Sequence, residues 1–378
     1  MYITVRQKAF NHQISWDDIM DDVCSSYAWG TKGSAGTITR IVFDIPQKII
    51  DKVNVQKMID RLNAFVTQHA ALYQANREDL YRTFFIPKSS GGLRRIDAPN
   101  EPLMQALREL KGILEVDCGA LYHTSAFAYV KDRCCVDAVK KHQRNESNWF
   151  LKLDFKDFFS STTPEFLFKM VTMSFPFCEI VKDAKGKQVL QKALDLCFLH
   201  GGLPQGTPIS PTLTNIMMIP IDHRLFNTLA KRKIVYTRYA DDLLISAVES
   251  FDPAKMSAFV EKILNEMQAP FRVNEKKTRY GSRKGSNWNL GVMLNKDNNI
   301  TVGHMKKKHM KAALCNFYHD FCARKHWSPE DVLTLRGQLS YFKSVEPDYF
   351  NYLISHMNAK FGTNLEYLMN VCILGKCR

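Results

Sequence analysis

The sequence predicts an α+β fold in which short strands carry acidic residues and amphipathic helices pack behind them. Two apolar runs, 234–238 and 243–247, flank Asp241 and Asp242 and are rich in β-branched and aromatic residues, which is typical of strands. A third such run, 148–155, includes a further carboxylate near its end. Apolar residues elsewhere recur at helical spacing. We therefore expect an antiparallel sheet backed by helices.

Asp241 and Asp242 are predicted to lie at the tip of a tight hairpin, where their side chains project without burial. Adjacent carboxylates repel each other unless a cation lies between them, and hard divalent cations prefer such oxygen donors. If the strand containing Asp154 lies beside the hairpin, Asp154 faces Asp241. Three carboxylates could then hold two metals roughly 3.5–4 Å apart, which suits in-line phosphoryl displacement. A buried ion-pair cluster is the alternative, which we disfavour because Arg238 is the only nearby cation.

Composition limits the class of protein. The chain has 378 residues, which suits two or three lobes, and its net charge of +14 with a pI near 9.2 favours polyanionic partners. Its ten cysteines include no Cys-x-x-Cys pair, so neither a zinc ribbon nor a disulfide framework is expected. No run is long enough to span a membrane and no signal peptide is apparent. These features predict a cytoplasmic protein with reduced thiols and no membrane contact.

Several helices are predicted from caps and apolar spacing. Asn54 and Asn100 each precede a helix, and Asp252 caps another whose first position is a proline. Residues 163–200 are expected to be mostly helical. A flexible loop is expected at 30–37, where glycine, serine and threonine cluster.

Two basic segments are candidates for binding phosphate. The segment 84–99 reads as strand, turn and strand, with Lys88 and Arg94 near the turn. A helix from about Met305 has four lysines in its first turns, where a polyanion would neutralise them; they are Lys306, Lys307, Lys308 and Lys311. A solvated basic surface is the alternative for each segment. His142 is interpreted as a structural or phosphate-contacting histidine rather than a catalytic one.

Four segments, in order along the chain, together resemble bacterial reverse transcriptases. Tyr239-Ala240-Asp241-Asp242 resembles the catalytic box, and 153–160 resembles the first metal-binding motif. The run 202–211 is similar to the nucleotide-pocket motif of retrons and group II introns, and 84–99 is similar to the fingers motif. The resemblance covers roughly residues 80–345.

This resemblance implies a right-hand polymerase with fingers, palm and helical thumb. It implies an N-terminal extension with the start of the fingers at 1–78, fingers at 79–147 and a palm at 148–295. The helical insertion near 163–200 would belong to the palm, and the thumb would occupy 296–378.

The resemblance also implies the catalytic residues. Asp154, Asp241 and Asp242 would be catalytic, with Lys277 protonating the pyrophosphate as a general acid. The metal site would comprise the three aspartates and Phe155, and it would hold two Mg²⁺ ions, with Mn²⁺ as the alternative.

A nucleotide pocket and a duplex contact follow from the same resemblance. The nucleotide-binding set would be Lys88, Arg94, Phe155, Phe159, Gln205 and Gly206. Phe159 would lie under the incoming sugar and exclude a 2′-hydroxyl, and Gly206 would leave backbone space for a base. The run 288–295 resembles the turn that grips the primer, and the four lysines after Met305 would contact the template–primer duplex.

The implied function is RNA-directed DNA synthesis by two-metal phosphoryl transfer, copying a dedicated non-coding RNA in a retron or phage-defence system. The implied partners are an RNA template, a DNA or RNA primer, dNTPs and an effector protein. Two alternatives stay open: a template-independent or RNA-synthesising polymerase on the same palm, and a non-catalytic RNA-binding scaffold.

Overall fold

The computed structural model describes residues 53–88, 91–118, 121–285, 291–325 and 327–374. The interpretation of the first fifty residues, with their glycine-rich loop, lies outside these ranges. So do the first three residues of the run that resembles a primer-gripping turn.

The first described part combines helices with a two-stranded ribbon. Its elements are α1 (Val55–Gln68), α2 (Ala70–Gln74), β1 (Tyr81–Pro87), β2 (Leu93–Pro99), α3 (Glu101–Cys118) and α4 (Cys135–Arg144). Both predicted caps are confirmed. The side chain of Asn54 accepts a hydrogen bond from the Lys57 amide at 2.8 Å, and that of Asn100 accepts one from the Leu103 amide at 3.1 Å.

The central part contains the sheet and most of the core. Its elements are β3 (Trp149–Lys156), α5 (Pro164–Thr172), α6 (Phe177–Ile180), α7 (Ala184–Asp195), α8 (Ser210–Met217), α9 (Ile219–Ala230), β4 (Val235–Tyr239), β5 (Asp242–Ala247), α10 (Pro253–Glu266), β6 (Arg272–Val273) and β7 (Arg279–Ser282). The helical prediction for 163–200 is confirmed, and those helices pack into the main core with α1. Asp252 caps α10, as expected.

The sheet has the strand order β4-β5-β3-β6, with β7 also paired to β3, and every pair is antiparallel. Because side chains alternate along a strand, the sheet presents two different faces. On β3, Leu151, Leu153 and Phe155 enter the main core against the helices. Phe150, Lys152 and Asp154 belong to the opposite face, which we call the acidic face.

The C-terminal part is a helical bundle that shares a core with the acidic face. A small hairpin, β8 (Met293–Leu294) and β9 (Ile300–Thr301), precedes α11 (His304–Cys322), α12 (Pro329–Val345), α13 (Pro347–Phe361) and α14 (Leu365–Ile373). We call these four helices the C-terminal bundle. Its apolar cluster includes Phe150 and Leu244 from the sheet and Val136 and Val139 from α4.

Within the described ranges, no helix combines the length and apolar character needed to cross a membrane. Seven cysteines in these ranges are free thiols.

Candidate active site

The three predicted carboxylates come together where β3 meets the hairpin of β4 and β5. The strand register pairs Asp154 directly with Asp242, so the expectation that Asp154 faces Asp241 across the strands was wrong. Asp241 lies in the turn itself, and its carbonyl accepts a hydrogen bond from the Phe155 amide at 3.1 Å. The turn consists of two residues, Ala240 and Asp241, and Ala240 adopts a left-handed conformation with φ of 58°.

These carboxylates are more buried than expected for a hairpin tip. Asp154 is only 6% exposed, and Asp241 and Asp242 are half-buried. The segment after β6 covers Asp154: the Asn274 amide donates to the Asp154 carbonyl at 2.7 Å, and its side chain lies 3.4 Å from Oδ1. The three carboxylates therefore lie partly covered beside the hairpin turn, in a site that we call the cleft, rather than on an exposed tip.

Burial and mutual repulsion both act on the hairpin carboxylates. Burial, followed by the neighbouring charge of Asp242, raises the pKa of Asp241. Burial also raises the pKa of Asp242, and the ammonium group of Lys152 acts in the opposite direction. The site thus concentrates negative charge that is costly in the folded protein and is relieved by cations.

Two lysines provide part of that relief. Lys277 Nζ lies 3.0 Å from Asp154 Oδ2, and Lys152 Nζ lies 2.9 Å from Asp242 Oδ2. Hydrogen bonding to Asp154 raises the pKa of Lys277, so this lysine holds its proton firmly. Both Lys276 and Lys277 are exposed, and the predicted residue, Lys277, is the one that contacts Asp154. Lys152 was missed, although its position two residues before Asp154 on a strand signals that both side chains share a face.

Arg238, the one nearby cation that the sequence indicated, does not pair with these acids. The pleat directs it to the helix-packed face, where it forms a fully buried pair with Asp222. Its Nε lies 2.9 Å from Asp222 Oδ1 and its Nη2 lies 2.7 Å from Oδ2. Its Nη1 also donates to the Ala240 carbonyl at 3.1 Å, so this pair supports the turn from behind.

The donor set suits a hard cation, although the side chains are arranged around lysines. Within the described ranges, no three carboxylate, imidazole or thiolate groups are arranged around a common point that would suit a metal ion. Asp154 and Asp242 are instead bonded to ammonium groups. Oxygen donors of this kind fit Mg²⁺ or Mn²⁺ and disfavour zinc.

The ribbon of β1 and β2 is joined to the loop that precedes α8. The Asp97 amide donates to the Gln205 carbonyl at 2.7 Å. A Cβ on Gly206, whose φ is +116°, would lie 2.8 Å from Ile96 Cγ2. This contact with β2 explains the glycine without a nucleotide base. Lys88 and Arg94 are exposed on the ribbon, as a phosphate-binding role requires.

The three phenylalanines after Asp154 differ in burial. Phe155 and Phe158 are each 2% exposed and pack on Phe271 in the main core. The side chain of Phe155 is therefore unavailable to a ligand, which leaves only its backbone for the predicted metal and nucleotide contacts. Phe159 is half-buried at the edge of this core.

Tyr129 is a feature of the site that sequence reasoning missed. It is 56% exposed and has φ of 58°, a conformation that is strained for an aromatic residue. Burial, and then the charge of Asp241, raise the pKa of Tyr129, while the charge of Arg94 lowers it. The preceding carbonyl, Ala128, is fixed by the Asn215 side chain at 2.8 Å. No periodicity or motif in the sequence signals this backbone conformation.

His142 has a structural role. It is fully buried, and its ring nitrogens lie 2.6 Å from Ser246 Oγ and 2.8 Å from Thr237 Oγ1. Burial lowers its pKa to about 3, so the ring stays neutral. It connects α4 to the acidic face.

The predicted lysine cluster on α11 divides into two pairs. Lys306 donates to the Gly291 carbonyl at 2.6 Å, and Lys307 is bonded to Glu346 and lies 4.1 Å above the ring of Tyr349. These two lysines are half-buried and have internal partners. Their neighbours Lys308 and Lys311 are exposed. Consecutive helical positions point in different directions, which accounts for the division.

Comparison with known proteins identifies the family. Residues 86–311, more than half of the chain, match the family model described as reverse transcriptase (RNA-dependent DNA polymerase). The chain belongs to the reverse transcriptase family. Its α+β architecture is accordingly that of a right-hand polymerase, and its enzyme class is RNA-directed DNA polymerase.

The similar curated proteins are retron reverse transcriptases. The chain is 27% identical over 291 residues to the Retron Ec83 reverse transcriptase of Escherichia coli, covering 75% of this chain and 87% of that one. It is 26% identical to the Retron Ec73 reverse transcriptase of the same species, covering 76% and 88%. The Retron Mx65 reverse transcriptase of Myxococcus xanthus is 26% identical, covering 75% and 66%.

Among solved structures, a telomerase from Candida albicans is similar, with 13% identity and a TM-score of 0.43. The match covers 78% of this chain and 60% of that telomerase.

Proposed function

We propose that this reverse transcriptase synthesises DNA at the Asp154, Asp241 and Asp242 cleft by phosphoryl transfer assisted by divalent cations. The observation that carries the proposal is the junction of β3 with the hairpin, where three carboxylates lie together and burial, with their mutual repulsion, raises the pKa of Asp241 and Asp242. Such a cluster is unfavourable unless cations are drawn to it. The family membership of the chain supplies the reaction class.

Asp154 and Asp241 are the proposed principal metal ligands, with Asp242 beside them and the Phe155 carbonyl as the additional oxygen. Bound Mg²⁺ would lower the pKa of a primer 3′-hydroxyl and neutralise the triphosphate. Lys277, which keeps its proton, is placed to donate it to the leaving pyrophosphate once it releases Asp154. Lys88 and Arg94 are the proposed phosphate contacts on the ribbon, with Gln205 and Gly206 at its base.

The test is Asp241→Asn, with Asp252→Asn as the matched control. Asparagine is as good an N-cap as aspartate, so the control should fold and extend a primer normally. Asp241→Asn should fold and lose Mg²⁺-dependent dNTP incorporation by several orders of magnitude. Near-normal extension by folded Asp241→Asn protein would refute the metal assignment, and absence of extension by the wild-type protein would favour the RNA-binding scaffold.

We also propose that the template is a dedicated non-coding RNA, in a retron-like or phage-defence setting that includes an effector protein. The support is that the similar curated proteins are named retron reverse transcriptases. Sequencing the RNA and DNA that co-purify with the native protein tests this. One abundant RNA covalently or stably associated with its DNA copy is expected, and a random sample of cellular RNA would contradict it.

A further inference from the structure

Lys152 differs from a lysine in an ordinary surface ion pair, because it lies within the sheet and its side chain is largely covered. It lies in the middle of β3, and its side chain emerges on the acidic face with that of Asp154. Its ammonium group lies 2.9 Å from Asp242 Oδ2, and the two side chains are 30% and 24% exposed. It therefore places a permanent positive charge within the carboxylate cluster.

The two lysines of the cluster differ in how easily they can leave it. Lys277 ends a short 3₁₀ turn, 275–277, and 57% of its side chain is exposed, so it can swing into solvent. Lys152 comes from a strand that is paired on both sides, and its side chain is about half as exposed. Lys277 is thus an exchangeable partner of Asp154, whereas Lys152 is a fixed partner of Asp242.

We propose that Lys152 is a positioning residue that keeps Asp242 engaged in an internal ion pair. Divalent cations are therefore ligated by Asp154 and Asp241 and not by Asp242. This inference rests on the proposed function. A cation ligated by Asp242 would have to displace Lys152 or approach its charge, and like charges a few ångströms apart repel strongly. Lys152 accordingly weakens metal binding by the protein alone and assigns the adjacent carboxylates of the hairpin to different tasks.

The experiment measures Mn²⁺ binding to the full chain without nucleic acid, by titration with electron paramagnetic resonance detection. Lys152→Met should bind Mn²⁺ at least roughly fivefold more tightly than wild type. That is the effect of removing one unit charge about 4 Å from the cation, even when water screens the interaction fully. Lys152→Arg, which retains the charge, should match wild type. Lys140→Met is the control, because Lys140 forms a comparable 3.2 Å pair with Asp137 on α4.

A double variant separates this role from general loosening of the fold. Lys152→Met combined with Asp242→Asn should lose the gain in Mn²⁺ affinity, because it removes the carboxylate that Lys152→Met leaves free to attract the cation. Lys152→Met binding no tighter than Lys140→Met would overturn the inference, and Lys152→Gln repeats the test if the methionine variant does not fold. A failed proposed function gives a different result: Asp241→Asn would then keep both Mn²⁺ binding and primer extension.

Discussion

Arg238→Met is expected to destabilise the protein strongly although it leaves each of the proposed catalytic carboxylates in place. The guanidinium has no solvent-exposed surface and donates to Asp222 through two nitrogens. Asn215 and the carbonyl of Ala240 accept from its third nitrogen, each at 3.1 Å. Tyr236 donates a further hydrogen bond to Asp222 at 2.7 Å. Removing Arg238 strands a buried carboxylate and two acceptors.

The magnitude follows from that burial. Breaking a buried ion pair by removing one partner costs about 3–5 kcal/mol, because the other charge is left without compensation. At about 2–4 °C per kcal/mol for domains of roughly 150–250 residues, the melting temperature should fall by roughly 6–20 °C. Since this chain is longer, the lower part of that range is expected.

The assay is thermal and urea unfolding of three variants beside wild type. Arg95→Met is the control, since Arg95 also pairs with an aspartate, at 2.8 Å, but its side chain is 47% exposed. It should cost about 0–1 kcal/mol. Arg238→Met combined with Asp222→Leu should recover most of the lost stability, because both charges are then absent. Equal losses for Arg95→Met and Arg238→Met, or no recovery in the double variant, would refute the reasoning.

Three further predictions concern the cleft and the C-terminal bundle. In metal-free buffer at pH 8, Asp241→Asn should have a higher melting temperature than wild type, because a carboxyl whose pKa is raised by folding destabilises the protein when it is ionised. The difference in melting temperature should shrink as the pH falls through the pKa of Asp241 in the folded protein, and a pH-independent difference would contradict this. Phe159→Val should raise the ratio of rNTP to dNTP incorporation by roughly tenfold, as relief of a clash worth about 1–3 kcal/mol allows, and an unchanged ratio would assign Phe159 to the core alone. Replacing Lys308 and Lys311 with Gln should reduce the slope of log template–primer affinity against log salt concentration by about one unit per lost phosphate contact. Lys307→Gln should instead lower the melting temperature, because Lys307 is paired with Glu346. Equal salt slopes for wild type and the double variant would mean that Lys308 and Lys311 form a solvated surface.

Local patterns sufficed for the hairpin, the caps and the apolar faces of the helices, because each depends on residues close together in the chain. Asn54 and Asp252 cap helices as their sequence context indicates. The partner of Asp154 was not predictable in this way, because strand register is decided by packing between distant segments. The pairing of Lys152 with Asp242 and the direction of Arg238 both follow from that register.

Residue chemistry alone also missed one constraint on a glycine. The role of Gly206 in leaving backbone space for a base stays a prediction, and the structure adds that β2 occupies the space that a side chain there would need. The four lysines after Met305 were treated as one surface, although Lys306 and Lys307 have partners inside the protein. In both instances the deciding neighbour lies far away in the sequence.

The apolar cluster of the C-terminal bundle has a consequence for how such a polymerase can be divided or exchanged. Phe150 and Leu244 alternate along their strands with the residues that serve the main core, so one pair of strands closes two cores at once. Cutting the chain ahead of β8 would expose the side chains of Phe150 and Leu244 on the acidic face. The C-terminal bundle would lose the sheet residues against which it packs. The C-terminal bundle therefore cannot be exchanged by itself. A bundle taken from a relative would need matching residues in the sheet, so the bundle and the sheet must be inherited together.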